Sequence, residues 1–249
     1  GGKHEHTSHG HESVEVLQNL LDANDHEAGH NREHFERHGV LAVNLMSSPG
    51  AGKTLLLEKT IERLGGSLNV AVIEGDLDTE NDAERIRSKG VPAVQISTGT
   101  ACHLDAHMVH SALHELDLDG LDIVFIENVG NLVCPASFDL GQHLNVTLLS
   151  SPEGDDKPAK YPVMFRASDL MLVSKADLIE VLGDFDPAKA EAHLRALANA
   201  APVIELSARS GAGMADWLTW LHDALGRVRG GLAGQNVGTE HEQERRQLA

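Results

Sequence analysis

Short runs of apolar residues alternate along the chain with stretches in which apolar residues recur at helical spacing. The runs predict strands at residues 40–46, 69–74, 93–97, 122–128, 146–150, 170–174 and 203–207. The helical spacing predicts helices at residues 12–37, 53–64, 78–89, 102–116, 187–198 and 214–228. Continuously apolar strands separated by helices are typical of a parallel sheet covered on both faces. We therefore predict an α/β fold with a mostly parallel seven-stranded sheet and helices on both faces.

The two ends of the chain differ in composition from its centre. Residues 1–11 are polar and rich in glycine and histidine, and residues 230–249 are Gly-rich and then charged, so we predict disorder in both segments. Residues 12–38 are expected to form a helix packed on the main domain. That domain is expected to span residues 39–229.

Net charge and cysteine content limit the partners and the cellular compartment that we expect. The net charge is -18, with 20 Lys and Arg against 38 Asp and Glu. A nucleic acid or an anionic membrane requires a basic face, so neither is expected as the main partner. No apolar run approaches the ~18 residues of a membrane span. Two cysteines cannot form a disulfide framework, and no signal peptide is recognised, so we expect a cytoplasmic protein.

The segment 47–54, SSPGAGKT, follows a predicted strand and opens a predicted helix, which is the context of a phosphate-binding P-loop. Its glycines let the backbone approach phosphates, whose charge is bound by successive N–H groups and the helix N-terminus. Lys53 would contact the β- and γ-phosphates, and the Thr54 hydroxyl would ligate Mg²⁺. Ser47 replaces the usual first glycine, which is permitted if its φ is negative. The residues expected to hold the nucleotide here are Gly50, Ala51, Gly52, Lys53, Thr54 and Leu55.

Two further motifs indicate which base is bound. Residues 174–177, SKAD, close a predicted strand and resemble the [NTS]KxD guanine motif of GTPases. The Asp177 carboxylate would accept hydrogen bonds from the N1–H and exocyclic amine of guanine, whereas adenine has no N1–H. The stem of Lys175 would lie over the base. Ser207, Ala208 and Arg209 resemble the SA[KLR] loop that contacts guanine through backbone N–H groups.

Acidic residues end two other predicted strands, and the carboxyl ends of parallel strands form the ligand crevice of α/β sheets. Glu127 would take the Walker B role on Mg²⁺, and Gly130 would contact the γ-phosphate through its N–H. Asp76, at the end of the sequence EGD, would ligate Mg²⁺ or position the attacking water. No clear catalytic glutamine follows Glu127, which predicts slow intrinsic hydrolysis.

Both cysteines lie close to these motifs in the sequence. Cys102 and His103 open the predicted helix 102–116, and Cys134 lies four residues after Gly130. Two thiolates and an imidazole suit Ni²⁺ or Zn²⁺, and a dimer would double the set. The alternative is a pair of buried, inert thiols.

Twelve of the 16 histidines form three groups that could also bind metal. They are the terminal His4, His6, His9 and His11, the series His26, His30, His34 and His38, and the series His103, His107, His110 and His114. The second and third series have helical spacing, which places their members on one helix face. Metal binding and a solvated polar face are both compatible with this spacing.

The combination of SSPGAGKT, IEGD, TACHL, ENVGNLVCP, SKAD and SARSG resembles the hydrogenase nickel-incorporation GTPases, the HypB family. The resemblance covers about residues 24–225. It implies the P-loop fold class shared with signal-recognition, septum-placing and biotin-synthesis proteins, and GTP-dependent homodimerisation. It also implies a nickel or zinc site at the dimer interface, made by Cys102, His103 and Cys134.

The resemblance further implies delivery of nickel to a hydrogenase large-subunit precursor, together with a nickel-delivery accessory protein. The expected ligands and cofactors are thus GTP or GDP, Mg²⁺, Ni²⁺ and Zn²⁺. Many members carry a CxxCGC nickel motif near the N-terminus. This sequence contains none, so a high-affinity terminal nickel site is not part of the expectation.

Three alternatives remain open on sequence alone. A urease nickel GTPase would carry a Cys-Pro-His metal triplet, which does not occur here. A cobalamin-enzyme GTPase chaperone would not need Cys102, His103 and Cys134 together. A nickel-storage protein with a weak or vestigial GTPase would explain the many histidines.

Overall fold

The computed structural model describes residues 8–76 and 81–247, with backbone alone for residues 8–12, 76 and 233–247. Its centre is one parallel sheet in the order β3-β2-β4-β1-β5-β6-β7. The strands are β1 Leu41–Ser47, β2 Val70–Asp76, β3 Ala93–Ser97, β4 Ile123–Glu127, β5 Leu144–Ser150, β6 Leu170–Ser174 and β7 Val203–Glu205. The prediction of a parallel seven-stranded α/β sheet is confirmed.

The helices cover both faces of this sheet. They are α1 Ser8–Arg37, α2 Lys53–Leu64, α3 Asn81–Arg87, α4 Ala106–Leu113, α5 Lys157–Lys160, α6 Pro162–Arg166, α7 Ile179–Leu182, α8 Pro187–Ala196 and α9 Met214–Gln247. Short 3₁₀ helices lie at Cys134–Ser137, Ser151–Glu153 and Ala176–Leu178. The helices α5, α6 and α7 were not predicted, because four or five residues are too few to show a helical period. Within the described part of the chain, no helix is both long and apolar enough to cross a membrane.

Alternate residues of each strand enter separate hydrophobic layers, as the two-residue period of a strand requires. In β1, Val43 packs on the side of α2, α3 and α9, whereas Ala42 packs on the side of α1 and α4. The first layer includes Trp217, which is fully buried and donates from Nε1 to Thr60 Oγ1 over 2.9 Å. The central strand β1 is buried along its whole length, which fixes the positions of the loops at its carboxyl end.

Several predicted boundaries differ in the structure, and three of them differ by four residues or more. Helix α4 begins at Ala106, so Cys102 and His103 precede it instead of opening it. The physical reason is Asp105, whose side chain accepts from Met108 N at 2.9 Å and caps the helix there. At the chain ends, α1 begins at Ser8 and α9 continues to Gln247, where disorder was predicted from residue 230. Glycines lower helix propensity without forbidding a helix, and the Glu, Gln and Arg residues after them favour one.

Helix α1 is attached to the domain by buried polar contacts as well as by Phe35. Asn31 is fully buried, and its amide donates to the carbonyls of Ala106 and Leu140 over 2.9 and 3.0 Å. Arg32 donates to both carboxylate oxygens of Asp139 at 2.8 Å. These contacts bond α1 to the start of α4 and to the segment that precedes β5.

We predict that Asn31→Ala destabilises the protein by about 2–4 kcal/mol, because two buried carbonyls would lose their donor. Chemical unfolding followed by circular dichroism measures the change. Glu33→Ala, an exposed substitution on the same helix, should lie within about 0.5 kcal/mol of wild type. Equal losses for the two variants would contradict the buried role of Asn31.

Candidate functional site

The P-loop connects β1 to α2 in the geometry that phosphate binding requires. Gly50 and Gly52 have φ values of 77° and 99°, a region that other residues rarely adopt. Lys53 is buried and donates from Nζ to Ser47 Oγ at 2.8 Å. Ser47 is a buried residue of β1, and its φ is not positive. Its hydroxyl thus positions the P-loop lysine, which accounts for serine in place of the usual glycine.

A pocket beside the P-loop brings together the residues predicted to bind the base. It is lined in part by Ala51, Gly52, Leu55, Lys175, Asp177, Ser207, Ala208 and Arg209. Lys175 has φ 55° and donates from Nζ to the carbonyl of Gly50 over 2.7 Å, so its stem lies along one wall. Ser174 Oγ donates to the carbonyl of Ala51 over 2.8 Å. These two bonds fasten the SKAD segment to the P-loop, and Asp177 is exposed within the pocket.

A second cavity, on the other side of the P-loop, is lined in part by Asp82 and Glu127, and Glu74 is buried beside it. Glu74 and Glu127 lie in register on the neighbouring strands β2 and β4. Both are buried, and Glu74 Oε1 and Glu127 Oε2 have no hydrogen-bond partner. Burial and the neighbouring Glu127 raise the pKa of Glu74 to about 11. Burial also raises the pKa of Glu127, while the neighbouring Glu74, Lys53 and Thr54 oppose that shift.

The orphaned carboxylate oxygens fit a magnesium ion. Oxygens of Glu74, Asp82 and Glu127 lie within 4.8 Å of one another. Thr54 Oγ1 donates to Glu127 Oε1 over 2.7 Å, so the predicted hydroxyl ligand belongs to the same cluster. Oxygen ligands of this kind are those that Mg²⁺ prefers. A bound cation would stabilise the ionised form of both groups, whereas burial and the neighbouring Glu127 otherwise keep Glu74 protonated.

Sequence reasoning missed Glu74 and Asp82 as members of this cluster. The signal for Glu74 was available, since an acidic residue in a continuously apolar strand needs compensation. Asp82 had no such signal, because it lies in the first turn of the exposed helix α3. The predicted ligand Asp76 ends β2, but its side chain lies outside the described residues, as do Asp78 and Thr79.

The predicted thiol and imidazole ligands come together near the carboxyl end of the sheet. One ligand atom each of Cys102, His103 and Cys134 lies within 4.8 Å of the others. Cys102 Sγ is 3.8 Å from His103 Nδ1, and the His103 ring stacks on Phe138 with 4.0 Å between centroids. Burial lowers the pKa of His103, so its imidazole is neutral and able to ligate near pH 7. All three residues are half-buried, which contradicts the alternative of two fully buried thiols.

One segment touches both the P-loop and the thiol cluster. Asn131 N donates to the carbonyl of Ser47 at 2.8 Å, and Asn131 Oδ1 accepts from Cys134 N at 3.2 Å. A side chain on Gly130 would come within 2.8 Å of Pro49 Cα, so glycine is required for this close approach. Next to Cys102 and His103, Leu104 N donates to Asn128 Oδ1 at 3.2 Å. The contacts of residues 128–134 thus extend from the phosphate loop to the thiols.

Not all members of the predicted histidine series share a helix face. His103 precedes α4, so it does not share a helix face with His107, His110 and His114. On α1, His26 contacts His30, and His34 stacks on His38. His4 and His6 lie outside the described residues, and of His9 and His11 only the backbone is described.

We predict that Glu74→Gln stabilises the protein free of nucleotide and magnesium, increasingly so as the pH rises from 5.5 to 7.5. In this range folded Glu74 keeps a proton that the unfolded chain releases above pH ~4.5. Each added pH unit therefore favours the unfolded wild type by up to about 1.4 kcal/mol. Glutamine does not titrate in this range, so the unfolding free energy of the variant does not fall with pH for this reason.

Unfolding free energies at pH 5.5, 6.5 and 7.5 measure the effect, with exposed Glu33→Gln as the matched control. Parallel pH profiles for wild type and Glu74→Gln would show that Glu74 is ionised in the folded protein.

Known proteins match both the sequence and the architecture. Residues 41–205 match the model of the CobW/HypB/UreG nucleotide-binding domain. The chain is 54% identical over 214 residues to the hydrogenase maturation factor HypB of Azotobacter chroococcum mcd 1, covering 86% of this chain and 70% of the relative.

Two solved structures resemble the whole central domain. A Helicobacter pylori HypB in complex with nickel superposes with a TM-score of 0.79 at 41% identity, over 82% of this chain and 96% of that chain. HypB from Archaeoglobus fulgidus superposes with a TM-score of 0.77 at 41% identity, over 82% and 100%. With the P-loop, the SKAD pocket and the paired thiols in place, the chain belongs to the HypB family of hydrogenase maturation factors.

Proposed function

We propose that this protein binds and hydrolyses GTP and uses its nucleotide state to bind and release nickel for a nickel–iron hydrogenase. The observation that carries the proposal is the segment 128–134, whose contacts reach both the P-loop and the thiol cluster. A HypB from Helicobacter pylori was crystallised with nickel, which supports nickel as the cargo here. Zinc is the alternative ion for the same two thiols and imidazole.

Guanine selectivity is supported by the pocket beside the P-loop. Asp177 presents an exposed carboxylate there, which can accept two hydrogen bonds from guanine. Ser207 N already donates to the carbonyl of Ala212 at 2.9 Å within its own loop. Backbone contacts with the base are therefore assigned to Ala208 and Arg209, while Ser207 shapes the loop through Oγ, which accepts from Ser210 N.

Hydrolysis is supported by the cluster on the other side of the P-loop. Thr54 and Glu127 would hold Mg²⁺, with Glu74 and Asp82 beside them, and the ion would supply charge stabilisation for the phosphates. Lys53 would contact the β- and γ-phosphates, and Asp76 would ligate the ion or orient the attacking water. No glutamine follows Glu127 closely, so we propose a slow intrinsic rate suited to a switch.

Coupling between the sites follows from how the thiols are held. Cys134 depends on Asn131 for its backbone hydrogen bond, and Asn131 in turn bonds Ser47 of the P-loop strand. Gly130 lies against Pro49, where a contact with the γ-phosphate would shift the backbone. Such a shift changes the position of Cys134 relative to Cys102 and His103, and nickel and zinc prefer different geometries.

The homodimer is proposed for the GTP state, with the metal site at its interface. Three ligands per chain leave a coordination position open, which a second copy could fill. A nickel-delivery accessory protein and the hydrogenase large-subunit precursor are the proposed partners, in the cytoplasm. By linkage, metal that binds better in one state biases the dimer equilibrium by the same factor.

Metal content and molecular mass measured together in the apo, GDP and GTP-analogue states test this proposal. We predict about one nickel per chain at this site, a dimer only with the GTP analogue, and a metal content that depends on the nucleotide. Cys134→Ala should remove most of this metal and spare GTP turnover, because Cys134 touches no predicted nucleotide-binding residue.

The matched control is Ser137→Ala, an exposed substitution in the same 3₁₀ helix, which should keep the metal. Several ions per chain in every nucleotide state, unchanged by Cys134→Ala, would instead support the storage alternative.

We predict that Asp177→Asn weakens GTP roughly 10- to 100-fold, the loss expected when a charge-assisted hydrogen-bond pair is removed. The same variant should bind xanthosine triphosphate more tightly than wild type, because the new amide donates to xanthine O2. Equilibrium titration with fluorescent nucleotides measures both affinities. Asp184→Asn, an exposed aspartate outside the pocket, is the control. Unchanged GTP affinity in Asp177→Asn would overturn the assignment.

A further inference from the structure

Helix α4 places two histidines side by side next to a carboxylate of α1, on a surface that the proposed GTPase cycle does not use. His110 lies in the second turn of α4 and His114 is its C-cap. Their Nε2 atoms are 3.1 Å apart. Two nitrogens bound to one metal at about 2.0–2.1 Å, at roughly 90–110°, lie about 2.9–3.4 Å apart. The pair therefore has the spacing of two adjacent ligands on one ion.

The contacts of His110 fix which ring nitrogen carries its proton. Nδ1 lies 3.2 Å from Glu27 Oε1 and 3.3 Å from Asn31 Oδ1, both on α1. Asn31 uses its NH₂ group on the carbonyls of Ala106 and Leu140, so its Oδ1 is an acceptor. With acceptors at Nδ1, that nitrogen is the donor, and Nε2 presents a lone pair towards His114.

A carboxylate on the far nitrogen is the usual support of a metal-ligating histidine, since it orients the ring and raises its basicity. Glu27 supplies this support to His110. The negative end of the α4 dipole lies at the same turn and favours a cation there.

A second pair with similar spacing lacks this support. His26 Nε2 and His30 Nε2 are 3.2 Å apart on the exposed face of α1. Among the contacts of the described residues, neither ring has a carboxylate on its other nitrogen. The difference singles out the α4 pair.

We propose that His110 and His114 form a second site for a borderline divalent cation, Ni²⁺ or Zn²⁺, supported by Glu27. Imidazoles suit both ions. The His110 side chain is 40% exposed, so water completes the coordination and the ion exchanges with solvent. The site uses none of Cys102, His103 and Cys134, and its existence does not depend on the proposed GTPase function.

The test uses the full chain with Cys102→Ala and Cys134→Ala, which removes the thiol cluster and leaves any other metal site in place. Bound Ni²⁺ and Zn²⁺ are counted separately by competition with a chromophoric chelator at pH 7.5. Adding His110→Gln and His114→Gln should remove about one ion per chain. The matched control adds His107→Gln and His222→Gln, two exposed histidines, and should remove none.

A second variant tests the supporting carboxylate without touching a ligand. Glu27→Ala should weaken the same ion about tenfold, whereas Glu33→Ala on the exposed face of α1 should not. Loss of one equivalent of either ion in the His110 and His114 variant, together with the Glu27 effect, supports the site. Equal metal content in that variant and its control, or equal affinity in the two Glu variants, overturns it and leaves an ordinary imidazole hydrogen bond.

Discussion

Two carboxylates buried side by side impose the constraint on which the rest of the site depends. Parallel pairing of β2 with β4 places Glu74 directly beside Glu127, and each retains an oxygen without a partner. Burying such groups costs several kcal/mol each unless they are neutralised or paired. Glu74 avoids this cost by keeping a proton near pH 7, and Lys53 and the Thr54 hydroxyl stabilise the charge of Glu127 only in part. Binding of a cation and a phosphate chain would therefore stabilise this edge of the sheet. The free energy gained in this way contributes to binding and orienting the nucleotide.

The same edge is also bonded to the segments that carry the thiol cluster, because the chain leaves β4 directly after Glu127. Asn128 bonds Leu104 on one side, and Asn131 bonds Ser47 and Cys134 on the other. The thiol cluster is carried by two arms of the chain, residues 102–106 and residues 131–139. Both arms are therefore bonded to, or continuous with, residues that follow the buried Glu127. A change of charge at Glu127 need not travel through a long chain of side chains, since the responding backbone is its immediate continuation.

Much of this arrangement followed from local sequence signals. The strands were recognisable because they are apolar throughout. The P-loop and SKAD motifs have a fixed spacing, which identifies the ends of the strands that precede them. The start of α4 was misjudged because the helical period continues across Asp105, where capping by its side chain decides the boundary. Neither the proximity of Glu74 to Asp82 nor that of Glu27 to His110 has a local signal. Both depend on how separate elements pack, which no single segment encodes.

Helix α1 adds to this constraint, because it is bonded to Ala106 in the first arm and to Asp139 in the second. Its Asn24 and Asn31 side chains bond the backbone N–H and carbonyl of Ala106, just after His103. Asn24 also donates to the carbonyl of Asp139, a few residues after Cys134. Each arm is thus fastened to the sheet edge at one end and to α1 at the other. In the proposed cycle, a displacement of the backbone at residues 128–131 would have to be accommodated between these bonded points while α1 stays docked. Of the three candidate metal ligands, Cys134 lies between the bonded residues Asn131 and Asp139, whereas Cys102 and His103 directly precede the bonded Leu104.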